Sequence, residues 1–184
     1  MSEELLVRHC SPTLAGIKTG NLFSCPCSSR SEIMEDVRRL NRRLAKKGLC
    51  IMPLRVSNGR ALLYLFRPDR LRRDLTDADA LRILREAGYE NVSRCACLTT
   101  LMRRLGESAD FPHEIGLFLS YPPEDVRGFI ENHARNYKCS GVWKVYGDAD
   151  AARRKFDLYA RCTTTYCRLF KKGCSLDSLA VPEK

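Results

Sequence analysis

Ser57-Asn58-Gly59, set between Leu49–Val56 and Arg60–Phe66, constrains the fold of this chain more than any other segment. An Asn-Gly pair supplies the positive φ angles of a tight type I′ turn, and the flanking runs are rich in apolar residues, so the segment predicts an antiparallel hairpin. Pro53 has no amide hydrogen to give to a ladder and therefore belongs on an edge strand.

A hairpin buries too little by itself, and the residues before it provide a cover. Ser29 and Glu32 are spaced as a capping box, Gly48 is a terminator, and Ile33, Val37, Leu40 and Leu44 recur at helical spacing. Together they predict an amphipathic helix whose other faces carry Arg38, Arg39, Arg42, Arg43, Lys46 and Lys47.

The rest of the chain reads as mainly helical. Leu14, Ile17 and Leu22 follow Ser11-Pro12, which suits a short helix over 10–22 with the proline in its first turn, and Ser24 to Ser29 reads as a loop. Helices are expected at 76–87, capped by Thr76 and closed by Gly88, and at 93–105, with Leu98, Leu101, Met102 and Leu105 on one face. The apolar run Ile115 to Leu119 predicts a strand, the prolines at 122 and 123 start a helix reaching about 134, and Val142 to Tyr146 predicts a fourth strand. Asp148 caps a long last helix that ends near Gly173, and 175–184 is expected to be a loose tail. Four short strands and about six helices make an α+β fold, a small, mainly antiparallel sheet covered by helices. At 184 residues the chain is expected to be a single domain, 1–184, with its ordered core at about 8–174.

No run of 18 apolar residues occurs, and Met1-Ser2-Glu3-Glu4-Leu5-Leu6 lacks the basic and then apolar pattern of an export signal. A cytoplasmic protein without membrane association is expected, and in that compartment ten cysteines read as thiols, ligands or small core residues rather than bridges. The net charge of +10 is uneven: residues 30–73 hold 13 Lys or Arg against 4 Asp or Glu, which leaves +1 for the remainder. Arg38, Arg42, Arg43 and Lys46, with Arg55, Arg60, Arg67, Arg70, Arg72 and Arg73 beyond them, have the electrostatic form of a nucleic-acid or nucleotide binder. Few aromatics are interleaved with them, and a solvated helix face is the commoner origin of such a run.

Two residues point to thiol chemistry. Cys10 precedes Ser11-Pro12 at what reads as a helix N-terminus, where the dipole and unpaired N–H groups favour a thiolate; the plainer alternative is a small core residue. His113 opens the 115–119 run with Gly116 three residues on, which places it to meet such a thiol, while a structural hydrogen-bonding role is the competing reading. On a strand Glu114 would face the other way, so it is a poor orienter for His113, and His133 reads as a core or helix-end residue. Trp143 and Val145 share one strand face and Lys144 and Tyr146 the other, where the latter two are placed to line a pocket for an anionic ligand. Cys25-Pro26-Cys27 and Cys95-Ala96-Cys97 lack zinc-ribbon spacing, and within a helix Cys95 and Cys97 would point apart. There is no glycine-rich phosphate loop, metalloprotease helix or G-x-S-x-G elbow.

Three blocks carry a resemblance: His9 to Lys18, Phe111 to Leu119 with Tyr121 to Val126, and Trp143 to Gly147. In order and spacing, from about 8 to 178, they resemble the uncharacterised bacterial family called domain of unknown function 3793, found mainly in anaerobic gut bacteria. The matching motif positions are Cys10, Lys18, His113, Glu114, Gly116, Trp143, Lys144 and Tyr146, and the C-x-C pairs fall outside the pattern. The resemblance implies a link to iron, haem or redox metabolism, because members often lie near genes for flavodoxins and ferrous-iron uptake; that is association and not mechanism.

The leading expectation is a thiol-dependent enzyme with Cys10 as nucleophile, His113 as its base, and Lys18, Lys144 and Tyr146 holding a small anionic substrate. A second is a non-catalytic iron or haem handling protein using His9, Cys10 or His113 as ligands, and a third is nucleic-acid or nucleotide binding through the basic patch. The residues name no cofactor and no oligomeric state.

Overall fold

A computed structural model describes residues 1–90, 93–107 and 111–183. In chain order the elements begin with α1 (Glu3–Leu14), β1 (Gly20–Pro26), α2 (Arg30–Leu44), β2 (Cys50–Ser57), β3 (Arg60–Phe66), α3 (Pro68–Leu75) and α4 (Ala78–Glu86). They continue with α5 (Arg94–Glu107), α6 (Ile115–Phe118), α7 (Pro123–Glu131), β4 (Cys139–Ser140), β5 (Lys144–Val145), α8 (Ala149–Lys171) and α9 (Leu176–Leu179). The fold class is α+β with a small antiparallel sheet, as the patterning predicts. The chain divides into two compact units, Met1–Asp69 with Tyr159–Lys184, and Arg70–Leu158.

The first unit is built on an antiparallel sheet of order β1-β3-β2. Asn58 and Gly59 hold φ of 49° and 68°, as the hairpin requires, and β2 lies at an edge with its register shifting between Pro53 and Arg55. The register places Phe23 opposite Leu63, Cys25 opposite Ala61, and Ile51 opposite Leu65, so alternate residues of three strands share one apolar face. Leu6, Val7, Cys10 and Leu14 of α1 and Ile33, Val37, Leu40 and Leu44 of α2 join them in one core. Ser29 caps α2 by accepting from the Glu32 amide at 3.1 Å, and Glu32 returns a bond to the Ser28 amide at 2.9 Å.

Three expectations fail in this unit for identifiable reasons. Helix α1 begins at Glu3, capped by Ser2, so Ser11-Pro12 ends a helix instead of starting one, and Cys10 is the eighth of its twelve residues. Residues 20–26 form strand β1 where a helix end and a loop were expected. A Cβ on Gly20 would lie 2.4 Å from the Tyr64 ring, so this glycine admits a neighbouring side chain instead of breaking the element. The C-terminal segment is packed and not loose: Leu176, Leu179 and Ala180 are buried in the core, and the Val181 and Glu183 amides donate to the carbonyls of Leu14 and Lys47.

Arg67 ties these pieces together. It is fully buried and donates to the carbonyl oxygens of Thr13 at 2.9 Å, Leu14 at 2.9 Å, Val181 at 2.8 Å and Lys47 at 3.4 Å. A buried guanidinium satisfied by several carbonyls is a structural group, which removes Arg67 from the basic surface inferred from sequence.

In the second unit α4 is capped by Asp77, one residue later than expected, whose carboxylate accepts from the amides of Asp79 and Ala80. Residues 115–119, expected to be a strand, contain the single helical turn α6, buried throughout. A five-residue apolar run has no periodicity with which to distinguish a buried strand from a buried turn of helix. The expected strand at 142–146 shrinks to β5, paired with β4 through Cys139 opposite Val145 and Ser140 opposite Lys144.

Candidate functional site

The site in the second unit starts from one carboxylate. Asp125 lies in the first turn of α7 and is 3% exposed; its Oδ2 accepts from Trp143 Nε1 at 2.6 Å, and its Oδ1 from the amides of Tyr146 and Gly147 at 2.7 and 2.8 Å. Three donors on one buried carboxylate fix the Trp143–Gly147 segment against the start of α7. Tyr121 stacks on Trp143 with ring centroids 4.9 Å apart and donates its hydroxyl to the Val142 carbonyl, while Phe156 meets the other ring edge-on at 4.6 Å. Gly116 lets α6 approach this wall, because a Cβ there would lie 2.8 Å from Val126 Cγ2 and 3.1 Å from Tyr121 Cδ2.

Phe129 of α7 touches two of the side chains singled out from the sequence. His113 meets its ring edge-on at 4.9 Å, and Lys144 Nζ lies 5.9 Å from its centroid and 4.7 Å from that of Tyr137. Lys144 Nζ also donates to the Ala134 carbonyl at 2.8 Å. That carbonyl belongs to a segment in which His133, Ala134 and Asn136 hold positive φ of 49°, 63° and 58°, a conformation that histidine and asparagine adopt more readily than alanine, so the cost falls mainly on Ala134. Among the described residues no carboxylate lies within ion-pair distance of Lys144, and of its three donors one is engaged by the Ala134 carbonyl.

These groups line a cavity of about 400 Å³ bounded by His113, Tyr121, Phe129, Trp143 and Lys144, with Asp125 behind the tryptophan. Phe111 and Val142 stand at its rim, exposed by 46% and 42%. His113 is exposed in the turn before α6 and also borders a second cavity of about 440 Å³ with Arg104 and Arg127. Glu114 is engaged elsewhere: it is buried and accepts from Arg104 Nε at 2.6 Å and from the Tyr89 hydroxyl at 3.0 Å. Burial, together with that carboxylate, pushes the Tyr89 phenol far up.

The structure thus gathers His113, Gly116, Trp143 and Lys144 around one cavity. Tyr146 packs against Gly128 beside it, and its buried hydroxyl has no partner among the described residues. Cys10 and Lys18 belong to the other unit. Cys10 is fully buried well inside α1, not at a helix start, and burial pushes its thiol strongly up, only partly offset by Lys18. Lys18 is 4% exposed, lies 5.8 Å from the Tyr159 ring, and is lowered by burial to about 8. His9 stacks against Phe23 at 6.1 Å, and burial followed by the charge of Arg8 lowers its pKa. Of the basic residues, Arg38, Arg42 and Lys46 are exposed, whereas Arg43 is paired with Glu3 and with Asp177. Among the described residues no three His, Cys, Asp or Glu side chains gather as a metal site, and no helix is long and apolar enough to cross a membrane.

Sequence reading misses Asp125, Phe129, Tyr121 and Tyr137. The only local signal for Asp125 is a carboxylate in a helix's first turn, which ordinarily means a favourable dipole contact and nothing more.

A family model described as "Protein of unknown function (DUF3793)" matches residues 6–180. The chain belongs to that family. The match spans both units and includes Cys10 and Lys18 as well as the His113–Lys144 cavity. No curated protein and no solved structure matches the chain.

Proposed function

We propose that the unit Arg70–Leu158 binds a small molecule with a flat apolar body and one acidic group in the His113–Lys144 cavity. The observation that carries this reading is the convergence of aromatic walls, one lysine without a carboxylate partner and one exposed histidine on a single cavity. Trp143, Tyr121 and Phe129 offer ring faces and edges to a flat body, Lys144 offers two N–H donors to an anion, and His113 gives or takes a proton at the mouth. The strained backbone at 133–136, whose Ala134 carbonyl orients the lysine, is the kind of conformation that persists where a side chain must be held in place. Cys10 has no part in this reading, since a fully buried thiol held in its protonated form is a poor nucleophile.

A suitable probe is 1-anilinonaphthalene-8-sulfonate, a flat apolar anion, read by energy transfer from Trp143, the only tryptophan. Saturable binding at one site is expected, and Lys144→Gln should weaken it about tenfold, the value of one charge-assisted contact. The uncharged parent 1-anilinonaphthalene should bind wild type and variant alike. Loss of near-UV circular dichroism would identify unfolded material, which also takes up the dye. Equal affinity of the folded variant and wild type for the sulfonate refutes the reading.

A further inference from the structure

The net charge belongs almost wholly to one unit. Met1–Asp69 with Tyr159–Lys184 holds 17 Lys or Arg against 8 Asp or Glu, a net +9, whereas Arg70–Leu158 holds 15 against 14, a net +1. Within the first unit the cations of α2 are not equivalent. Arg39 donates to Asp36 at 2.5 Å, and Arg43 is paired with both Glu3 and Asp177. Arg38, Arg42 and Lys46 are exposed and have no carboxylate within ion-pair distance among the described residues. Local acids therefore neutralise one flank of the helix and leave a row at i, i+4 and i+8 uncompensated.

We propose that this row, Arg38 and Arg42 on α2 with Lys46 in the turn that follows, binds the phosphate backbone of a nucleic-acid duplex without regard to base sequence. Arg38 and Arg42 are about 6 Å apart along the helix axis, close to the separation of neighbouring phosphates on one strand, and Lys46 follows in the next turn of chain. Two of the three are arginines, whose planar forks match phosphate oxygens with paired hydrogen bonds. A duplex is favoured over a single strand because no aromatic side chain stands among the exposed residues of α2 to stack on unpaired bases. A membrane surface is disfavoured because the apolar stripe that would enter lipid, Ile33, Val37, Leu40 and Leu44, is buried in the protein's core. The row lies in a different unit from the His113–Lys144 cavity, so this inference is independent of the function proposed for that cavity.

The test uses the full chain and a fluorescein-labelled duplex of about 20 base pairs with arbitrary sequence, read by anisotropy across a salt series. Three phosphate contacts predict a slope of about −2.7 in log affinity against log salt, a loss of about 40-fold between 50 and 200 mM. Arg38→Gln/Arg42→Gln/Lys46→Gln should abolish that slope. Arg82→Gln/Arg153→Gln/Arg161→Gln, which removes the same charge from exposed positions elsewhere, should leave it unchanged. Circular dichroism checks that both variants fold. Any of three results overturns the proposal: no duplex binding by wild type at about 20 mM salt, equal weakening by both variants, or adsorption to phosphatidylserine vesicles without duplex binding.

Discussion

Replacing Asp125 tests the construction of the cavity at its foundation. Its carboxylate receives Trp143 Nε1 and the amides of Tyr146 and Gly147, all within 2.8 Å, and is 3% exposed. A hydrogen bond to a charged group contributes about 1.5–3 kcal/mol net, and a buried donor left without a partner costs about 1–3 kcal/mol. Asp125→Asn keeps the shape and leaves one oxygen to accept the two amides, but sets its own NH2 against the indole N–H. About 3 kcal/mol of stability should be lost. Asp125→Ala strands all three donors and should cost about 4–6 kcal/mol, much of the roughly 5–15 kcal/mol that holds a typical domain folded. Urea unfolding followed by Trp143 emission and by far-ultraviolet circular dichroism measures both variants. The asparagine variant should also shift the native emission to the red, because the indole loses the partner that seats it. If it lies within about 0.5 kcal/mol of wild type with unchanged emission, the account of Asp125 as the anchor is wrong.

Gly116→Ala should destabilise by about 1–3 kcal/mol and weaken dye binding, since its Cβ would lie 2.8 Å from Val126 Cγ2; full stability and affinity would show that the wall yields. Arg67→Met removes the donor to four carbonyls and should cost about 3 kcal/mol in urea unfolding, with a near-neutral result showing that solvent satisfies them instead. Iodoacetamide at about pH 8 should modify exposed Cys95 about 100-fold or more faster than buried Cys10, read by peptide mass mapping; comparable rates would revive the thiol mechanism. Lys18 titrates near 8 when folded and at its ordinary 10.5 when unfolded. The unfolded state therefore binds more protons between those values, and wild-type stability relative to Lys18→Met should rise by up to about 3 kcal/mol from pH 8 to 10.5. A flat difference across that window would place Lys18 in contact with water.

What was legible in the sequence is what short-range physics determines. Asn58-Gly59 declares its turn because few other residues accept two positive φ angles, and Ser29 with Glu32 declares a helix start because the capping bonds are local. Cys10 misleads because Ser11-Pro12 has the form of a helix start, whereas Pro12 stands in the last turn of α1 and the cap, Ser2, lies eight residues before Cys10. The reason for Gly20 lies with Tyr64, 44 positions along the chain. The chemistry of His113 and Lys144 is legible from residue type alone, and both border the cavity. Asp125 and Phe129, which bring them there, act through contacts that exist only once the unit has closed.

The placement of the C-terminal segment also governs the order in which this protein comes into being. The contiguous stretch 70–158 is finished while the partners of residues 1–69 are still inside the ribosome. Leu176, Leu179 and the Val181 carbonyl arrive after it, so the nascent sheet waits with one of the four carbonyl acceptors of Arg67 missing and part of its apolar face open to water. At a synthesis rate of about 5–20 residues per second that interval is roughly 6–20 s, long enough for a chaperone to find it. Birth order and sequence order are therefore reversed in this chain: the unit begun first is the unit completed last.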